Sequence, residues 1–96
     1  MATIDPKTIN VHNNEEAGRF EAEVAGETAF AAYRRRGATI TFTHTEVPPE
    51  IGHHGVGGRI AQVALDSARE QGLTVIPRCP FIAAYIKEHP KYQDLV

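Results

Sequence analysis

Between Thr39 and Gly58 the chain reads TITFTHTEVPPEIGHHGVGG, which sets out in order a strand, a proline stop, a glycine loop and the start of a helix. From Thr39 to Val47 the alternation predicts a pleated strand with Ile40, Phe42, His44 and Glu46 on one face. Thr39, Thr41, Thr43, Thr45 and Val47 take the other, so the apolar face is expected to end in His44 and Glu46. Pro48-Pro49 ends the strand, because proline has no N–H to give a ladder. Beyond the loop a helix is expected to about Gln71. Its polar stripe is Arg59, Gln62, Asp66, Arg69 and Glu70, and its buried stripe Ile60, Val63, Ala64 and Ala68. Gly72 stands where a left-handed C-cap is needed, with Leu73 placed to fold back over the last turn.

Toward the N-terminus, Arg19 to Val24 alternates strictly, with Phe20, Ala22 and Val24 apolar against Arg19, Glu21 and Glu23. Ala25-Gly26-Glu27 offers a turn into a second strand, Thr28 to Arg35, and Arg36-Gly37 turns the chain into the strand quoted above. Ile9 to Asn13 is expected to add a fourth strand at the edge. Toward the C-terminus, Leu73 to Ile76 is an unbroken apolar run, which suits a strand covered on both faces. It follows its helix in a right-handed β-α-β crossover, which makes the two strands parallel. Pro80 opens a last helix, carried by Phe81, Ile82, Tyr85 and Ile86 and ended near His89-Pro90. The expected fold is α/β, in the order β-β-β-β-α-β-α: a mostly antiparallel sheet with one parallel strand at its C-terminal side.

Ninety-six residues leave chain for one core only, so a single domain over 1–96 is expected. Ten basic and twelve acidic residues give a net charge of −2, without the positive field that non-specific nucleic-acid binding needs. No apolar run is long enough to span a membrane, and the first residues lack the basic and apolar regions of a signal peptide. One cysteine, Cys79, cannot make an internal disulfide and suits a reducing compartment. The expectation is a cytoplasmic protein, monomeric or weakly dimeric through the sheet edge or an exposed face, with no nucleic-acid or membrane partner.

Parallel strands joined by a helix bring their C-terminal ends and the helix N-terminus to one side of the sheet. Gly55-Val56-Gly57-Gly58 lies there, and a glycine turn feeding a helix presents free N–H groups and a positive dipole end to an anion. No Gly-Lys-Ser/Thr and no G-x-G-x-x-G is present, which removes the common nucleotide loops. Cys79 precedes Pro80 and so falls at a helix N-cap, where the dipole favours an anionic sulfur; a small apolar side chain packed under the strand end is the plainer reading. His44, at the end of the neighbouring strand, is placed to approach Cys79 as base or hydrogen-bond partner. His53-His54 suits hydrogen bonds to phosphate better than a metal, since no ligand spacing accompanies it and adjacent residues point apart. Glu46 and Glu50 are candidate bases at the rim, and Arg34-Arg35-Arg36 reads as a solvated charge run at a turn, with an acidic partner or a nucleotide 3′-phosphate as the less favoured reading.

Three ordered segments, His44-Thr45-Glu46-Val47-Pro48-Pro49-Glu50, Gly55-Val56-Gly57 and Val75-Ile76-Pro77-Arg78-Cys79-Pro80-Phe81-Ile82-Ala83-Ala84-Tyr85-Ile86, resemble the small truncated subfamily of the GNAT acetyltransferase superfamily. The likeness runs from about Arg19 to Tyr92. It implies an acetyl-CoA site in the cleft where the strands ending at Val47 and Ile76 splay apart. The pantetheine arm is expected along the backbone near Val47, and the pyrophosphate on the loop and helix start, His53, His54, Gly55, Val56, Gly57 and Gly58. Cys79 and Tyr85 complete the cofactor set, with no metal, and Cys79, His44 and Glu46 are the catalytic candidates. The superfamily pattern Q/R-x-x-G-x-G/A is kept only in its latter half, because Gly52 stands where Gln or Arg is expected. The implied activity is acetyl-CoA-dependent transfer of an acetyl group to a primary amine of a small molecule, peptide or protein lysine, directly or through Cys79. The alternative is a non-catalytic acyl-CoA-binding or sensing module.

Overall fold

Three consecutive antiparallel strands, β2 (Arg19–Val24), β3 (Glu27–Arg36) and β4 (Thr39–Glu46), form the expected meander in a computed structural model that describes residues 9–52 and 55–96. The β2–β3 turn is made by Ala25 at φ 50° and Gly26 at φ 80°. Two left-handed residues give the turn whose twist matches the strands it joins. β1 (Val11–Asn14) pairs antiparallel with β2, two residues later than the strand expected from Ile9. β5 (Thr74–Pro77) pairs parallel with β4, so the sheet order is β1-β2-β3-β4-β5.

α1 (Val56–Glu70) connects β4 to β5, and α2 (Pro80–Glu88) follows directly. α1 packs on β1 to β4 and α2 on β4 and β5, and the two helices touch. Phe20, Ala31 and Phe42 from the sheet meet Ile60 and Leu65 of α1 and Ile82 of α2 in the core. Leu65 belongs to this face although the helical stripe read from the sequence omits it. Leu73 returns over the end of α1: its N–H donates to Ala68 O at 2.9 Å, while Gly72, at φ 67°, donates to Arg69 O at 3.1 Å. This is the Schellman closure predicted for Gly72.

Among the described residues no helix covers the other face of the sheet. That corrects the expectation for β5, whose Val75 is buried but whose Ile76 is 42% exposed. In α2 only Ile82 and Ile86 are buried, so the predicted four-residue apolar stripe is narrower, with Phe81 and Tyr85 turned toward the start of α1. Beyond α2, where no element was expected, a 3₁₀ helix spans Pro90–Leu95 and buries Tyr92 and Leu95. The Tyr92 hydroxyl donates to Asp66 Oδ1 at 2.7 Å. Burial first, and that carboxylate second, hold this hydroxyl well above the usual tyrosine range, so it remains a neutral donor. No helix among the described residues is long and apolar enough to cross a membrane.

Candidate functional site

The strand that decides the site is β4, and its register against β3 slips by one residue. Tyr33 stands opposite Phe42 and Ala32 opposite His44, which leaves Thr43 as the extra residue of a β-bulge. A one-residue slip exchanges the faces of everything beyond it. Thr45 therefore pairs with buried Ala31 and joins the core face, while His44 and Glu46 pass to the open face with side chains 63% exposed. The expectation that His44 and Glu46 close the buried face is overturned, because strict alternation does not survive the bulge.

A second irregularity lies on the other side of β4. β5 pairs with β4 only from Thr39 to Phe42, and Cys79 N–H makes the last bond, donating to Phe42 O at 2.9 Å. Pro77 has no N–H to extend the ladder and Pro80 commits the chain to α2, so β5 turns away. Among the described residues, His44 to Glu46 pair only with β3, and the bulged Thr43 pairs with neither strand. Here the parallel strands separate, as expected for the strands ending near Val47 and Ile76. Cys79 is the N-cap of α2, as predicted, and is 3% exposed. Its S–H donates to Thr45 Oγ1 at 3.2 Å. Thr45 thus holds the place that the sequence suggested for His44, and Val47, half-buried, packs against the same core.

The start of α1 lies against α2, the helix that Cys79 opens. Gly55 is the N-cap of α1 at φ 75°, a left-handed conformation that favours glycine, and among the described residues no side chain caps the first N–H groups. Gly57 lies so close to α2 that a Cβ there would stand 2.9 Å from Phe81 Cζ, and one on Gly58 would stand 3.8 Å from Tyr85 Cε2. The glycines thus let the first turn of α1 meet the two aromatic rings of α2. Tyr85 stacks on His89 with centroids 3.9 Å apart, and His89 Nδ1–H donates to the Tyr85 carbonyl at 2.8 Å. Burial, then Asp66, raises the Tyr85 hydroxyl above the tyrosine norm. His53 and His54 lie outside the described residues. Sequence reasoning missed Thr45 and Phe81 as parts of the site. Phe81 carried a signal, a large apolar residue one turn from Tyr85 and aligned with the glycine pair.

On the open face His44 Nε2 lies 3.5 Å from Glu46 Oε2, and the His44 ring meets Phe30 edge-on with centroids 6.1 Å apart. The Arg19 guanidinium covers the other part of Phe30 at 4.5 Å and donates from Nε to Glu21. Glu21 also takes Asn14 Nδ2 at 3.3 Å and lies 3.2 Å from His12 Nε2. The hydrogen bond from Arg19, against the opposing effect of burial, holds the Glu21 carboxyl below the usual carboxylate range. Glu50 is exposed in the turn after β4. Among the described residues no three His, Cys, Asp or Glu side chains gather as metal ligands would.

A family profile describing GCN5-related N-acetyl-transferases matches residues 19–95, which contain the split strands, the glycine-led helix and α2. The chain belongs to the GCN5-related N-acetyltransferase family. Among similar proteins, the protein NATD1 of Xenopus tropicalis is 30% identical over 99 residues, covering 99% of this chain and 91% of that protein. Human NATD1 is 31% identical over 90 residues, 91% of this chain and 80% of its own length. The solution NMR structure of a GCN5-like protein from Staphylococcus aureus superposes with a TM-score of 0.71 at 26% identity, covering 99% of this chain and 89% of that one. The five-stranded sheet with its single parallel pair is thus the GNAT fold, and this chain is an acetyltransferase-like member of the family.

Proposed function

We propose that this GNAT-family chain is an acetyl-CoA-dependent N-acetyltransferase that acts on a primary amine. The observation that supports this most directly is the edge of β4 beyond Phe42, left unpaired by β5 among the described residues, together with a glycine-led start of α1 that meets Phe81 and Tyr85 of α2. The N–H groups of Val56, Gly57 and Gly58, with Gly55, His53 and His54 before them, would hold the pyrophosphate at the positive end of the helix dipole. The edge from Thr43 to Val47 would take the pantetheine amides as a sheet edge takes an added strand. Phe81 and Tyr85, which meet the first turn of α1, would wall the helix side of such a site. Acetyl-CoA supplies the activated carbonyl when bound.

The remaining roles fall to β4 and Cys79. An N–H near Val47 polarises the carbonyl, and the His44–Glu46 pair takes the proton of the attacking amine from the open face. Cys79 is buried and gives its S–H to Thr45, which favours direct transfer with Cys79 as a pocket wall. A free thiol suits a reducing compartment such as the cytoplasm.

Calorimetric titration with acetyl-CoA and CoA, followed by acetyl transfer to a panel of amines, tests this reading. Saturable binding with turnover that survives Cys79→Ala is expected. An acetyl group found on wild-type protein by intact mass and lost in Cys79→Ala together with turnover would replace direct transfer by the covalent route. Binding without transfer would leave an acyl-CoA-binding module, and no binding would refute both.

A further inference from the structure

The open face of the sheet carries a cleft of about 590 Å³ lined by Arg34, Arg35, Arg36, Thr41, Thr43 and Arg78. Four of its six lining residues are arginines and none is acidic, in a chain whose net charge is −2. Overall basicity therefore does not explain the cluster. Arg35 is already engaged, donating from Nη1 to Gln71 Oε1 at 2.6 Å and from Nε to Gly37 O at 3.4 Å. The side chains of Arg34, Arg36 and Arg78 have no hydrogen-bond or ion-pair partner among the described residues. Arg34 pairs with Thr41 and Arg36 with Thr39, so these two point to the same face, and Arg78 follows β5 immediately before Cys79. Three like charges held around one cavity repel one another, and an anion relieves that repulsion.

The size and lining of the cleft narrow the choice of anion. Its volume is that of a small-molecule site. No aromatic side chain lines it, so it lacks the stacking platform of a nucleobase site. Its position ties it to the reaction. Thr43, the bulge residue, is the first residue of β4 beyond the reach of β5, and His44 and Glu46 continue the same open face. The guanidinium groups and the candidate base thus share one surface, on the side of the sheet opposite buried Cys79.

We propose that the acceptor is a small primary amine that carries its own anionic group, a carboxylate or a phosphate. Arg34, Arg36 and Arg78 hold the anionic group, and the amine is directed toward His44 and Glu46. This rests on the transferase reading above and names its substrate class. In the transfer the neutral amine nitrogen forms the new C–N bond. The thioester C–S bond breaks with its electron pair going to sulfur, and the nitrogen's proton passes to His44 or Glu46 and from there to the departing thiolate.

The test compares two matched pairs of acceptors in the wild type and in Arg34→Gln/Arg36→Gln, with acetyl-CoA affinity measured on the same preparations. Phosphoethanolamine against ethanolamine reads the phosphate arm, and β-alanine against its neutral amide reads the carboxylate arm. For at least one pair kcat/KM is expected to favour the anionic member by about 10-fold or more, as charge-assisted bonds in a cleft provide. The double variant is expected to bring that ratio close to one through KM, with kcat and acetyl-CoA affinity retained. Ratios near one in the wild type, or a preference that survives the double variant, would overturn the proposal. If acetyl-CoA binds but neither these pairs nor the wider amine panel is acetylated, the transferase reading has failed by itself. The cleft is then read from amide shifts at Thr41, Thr43 and Arg78 on titration with phosphoethanolamine and β-alanine. Saturable shifts lost in the double variant uphold the cleft as the site of such ligands, and no shifts overturn it.

Discussion

Gly57→Ala separates the two roles assigned to the start of α1. The new methyl would stand 2.9 Å from Phe81 Cζ and 3.4 Å from both Cε atoms. Relaxed carbon contacts begin near 3.5 Å, so the ring tip must withdraw by about 0.6 Å. Phe81 is 41% exposed and has solvent to move into. Overpacking costs about 1–3 kcal/mol in a closed core, and this half-open site belongs at the low end of that range. Alanine also returns up to about 1 kcal/mol of helix propensity relative to glycine. The net change is a destabilisation of no more than about 1 kcal/mol, or a fall in Tm of up to about 8 °C for a domain of this size. Ligand binding should suffer more. If the amides of Val56 to Gly58 cradle a pyrophosphate, the methyl and the displaced ring intrude on that approach, and acetyl-CoA Kd should rise about 10-fold or more. Thermal melting and calorimetry on the same sample measure both. A variant that melts as expected but binds acetyl-CoA like the wild type would refute the assignment of this turn to phosphate.

Three other outcomes follow from particular contacts. His44→Gln and Glu46→Gln should each lower kcat by about 10²-fold or more if the pair takes the amine proton, with the melting temperature unchanged because both side chains are largely exposed; steady-state kinetics beside a melt decides it, and an unchanged kcat in both variants would remove the base from this face. Glu21→Gln should cost about 1 kcal/mol at neutral pH through weakened charge-assisted bonds. The Glu21 carboxyl lies below its ordinary value of 4.5 in the folded protein, so its contribution is fully present above that value and disappears as pH falls through the lower folded value. Urea midpoints of the two proteins should therefore converge only in acid. Ala25→Asn should raise stability by about 0.5–1 kcal/mol, since asparagine tolerates the left-handed backbone that alanine is forced to adopt in this turn; chemical denaturation reads the change.

Local chemistry made much of the molecule legible from the sequence. The alternation from Arg19 to Val24, the glycine at 26, the Gly72-Leu73 closure of α1 and the Cys79-Pro80 start of α2 each depend on a few neighbouring residues, and each appears in the structure. The 3₁₀ helix at Pro90–Leu95 was not legible because its support is distant: Tyr92 is fixed by Asp66 and Asp94 by Arg69, both on α1. The cover of β5 was misjudged for a related reason. An apolar run reports that a strand is compatible with burial, not whether a helix exists to bury its second face.

The sequence by itself determined the order of the elements, the parallel crossover, the glycine-led start of α1 and the helix-capping place of Cys79, because turns, caps and periodicity are written in short stretches of chain. Tertiary structure alone decided which side of the sheet each functional group occupies. Along Thr39 to Val47 both alternations look acceptable, since Ile40 and Phe42 point inward either way. The choice beyond Phe42 was made by partners remote in the chain: Ala31, which accepts Thr45 opposite it, and Cys79, whose N–H takes Phe42 O and whose S–H bonds Thr45. The bulge at Thr43 is where these demands are reconciled. It sends His44 and Glu46 to the open face that they share with Arg34, Arg36 and Arg78.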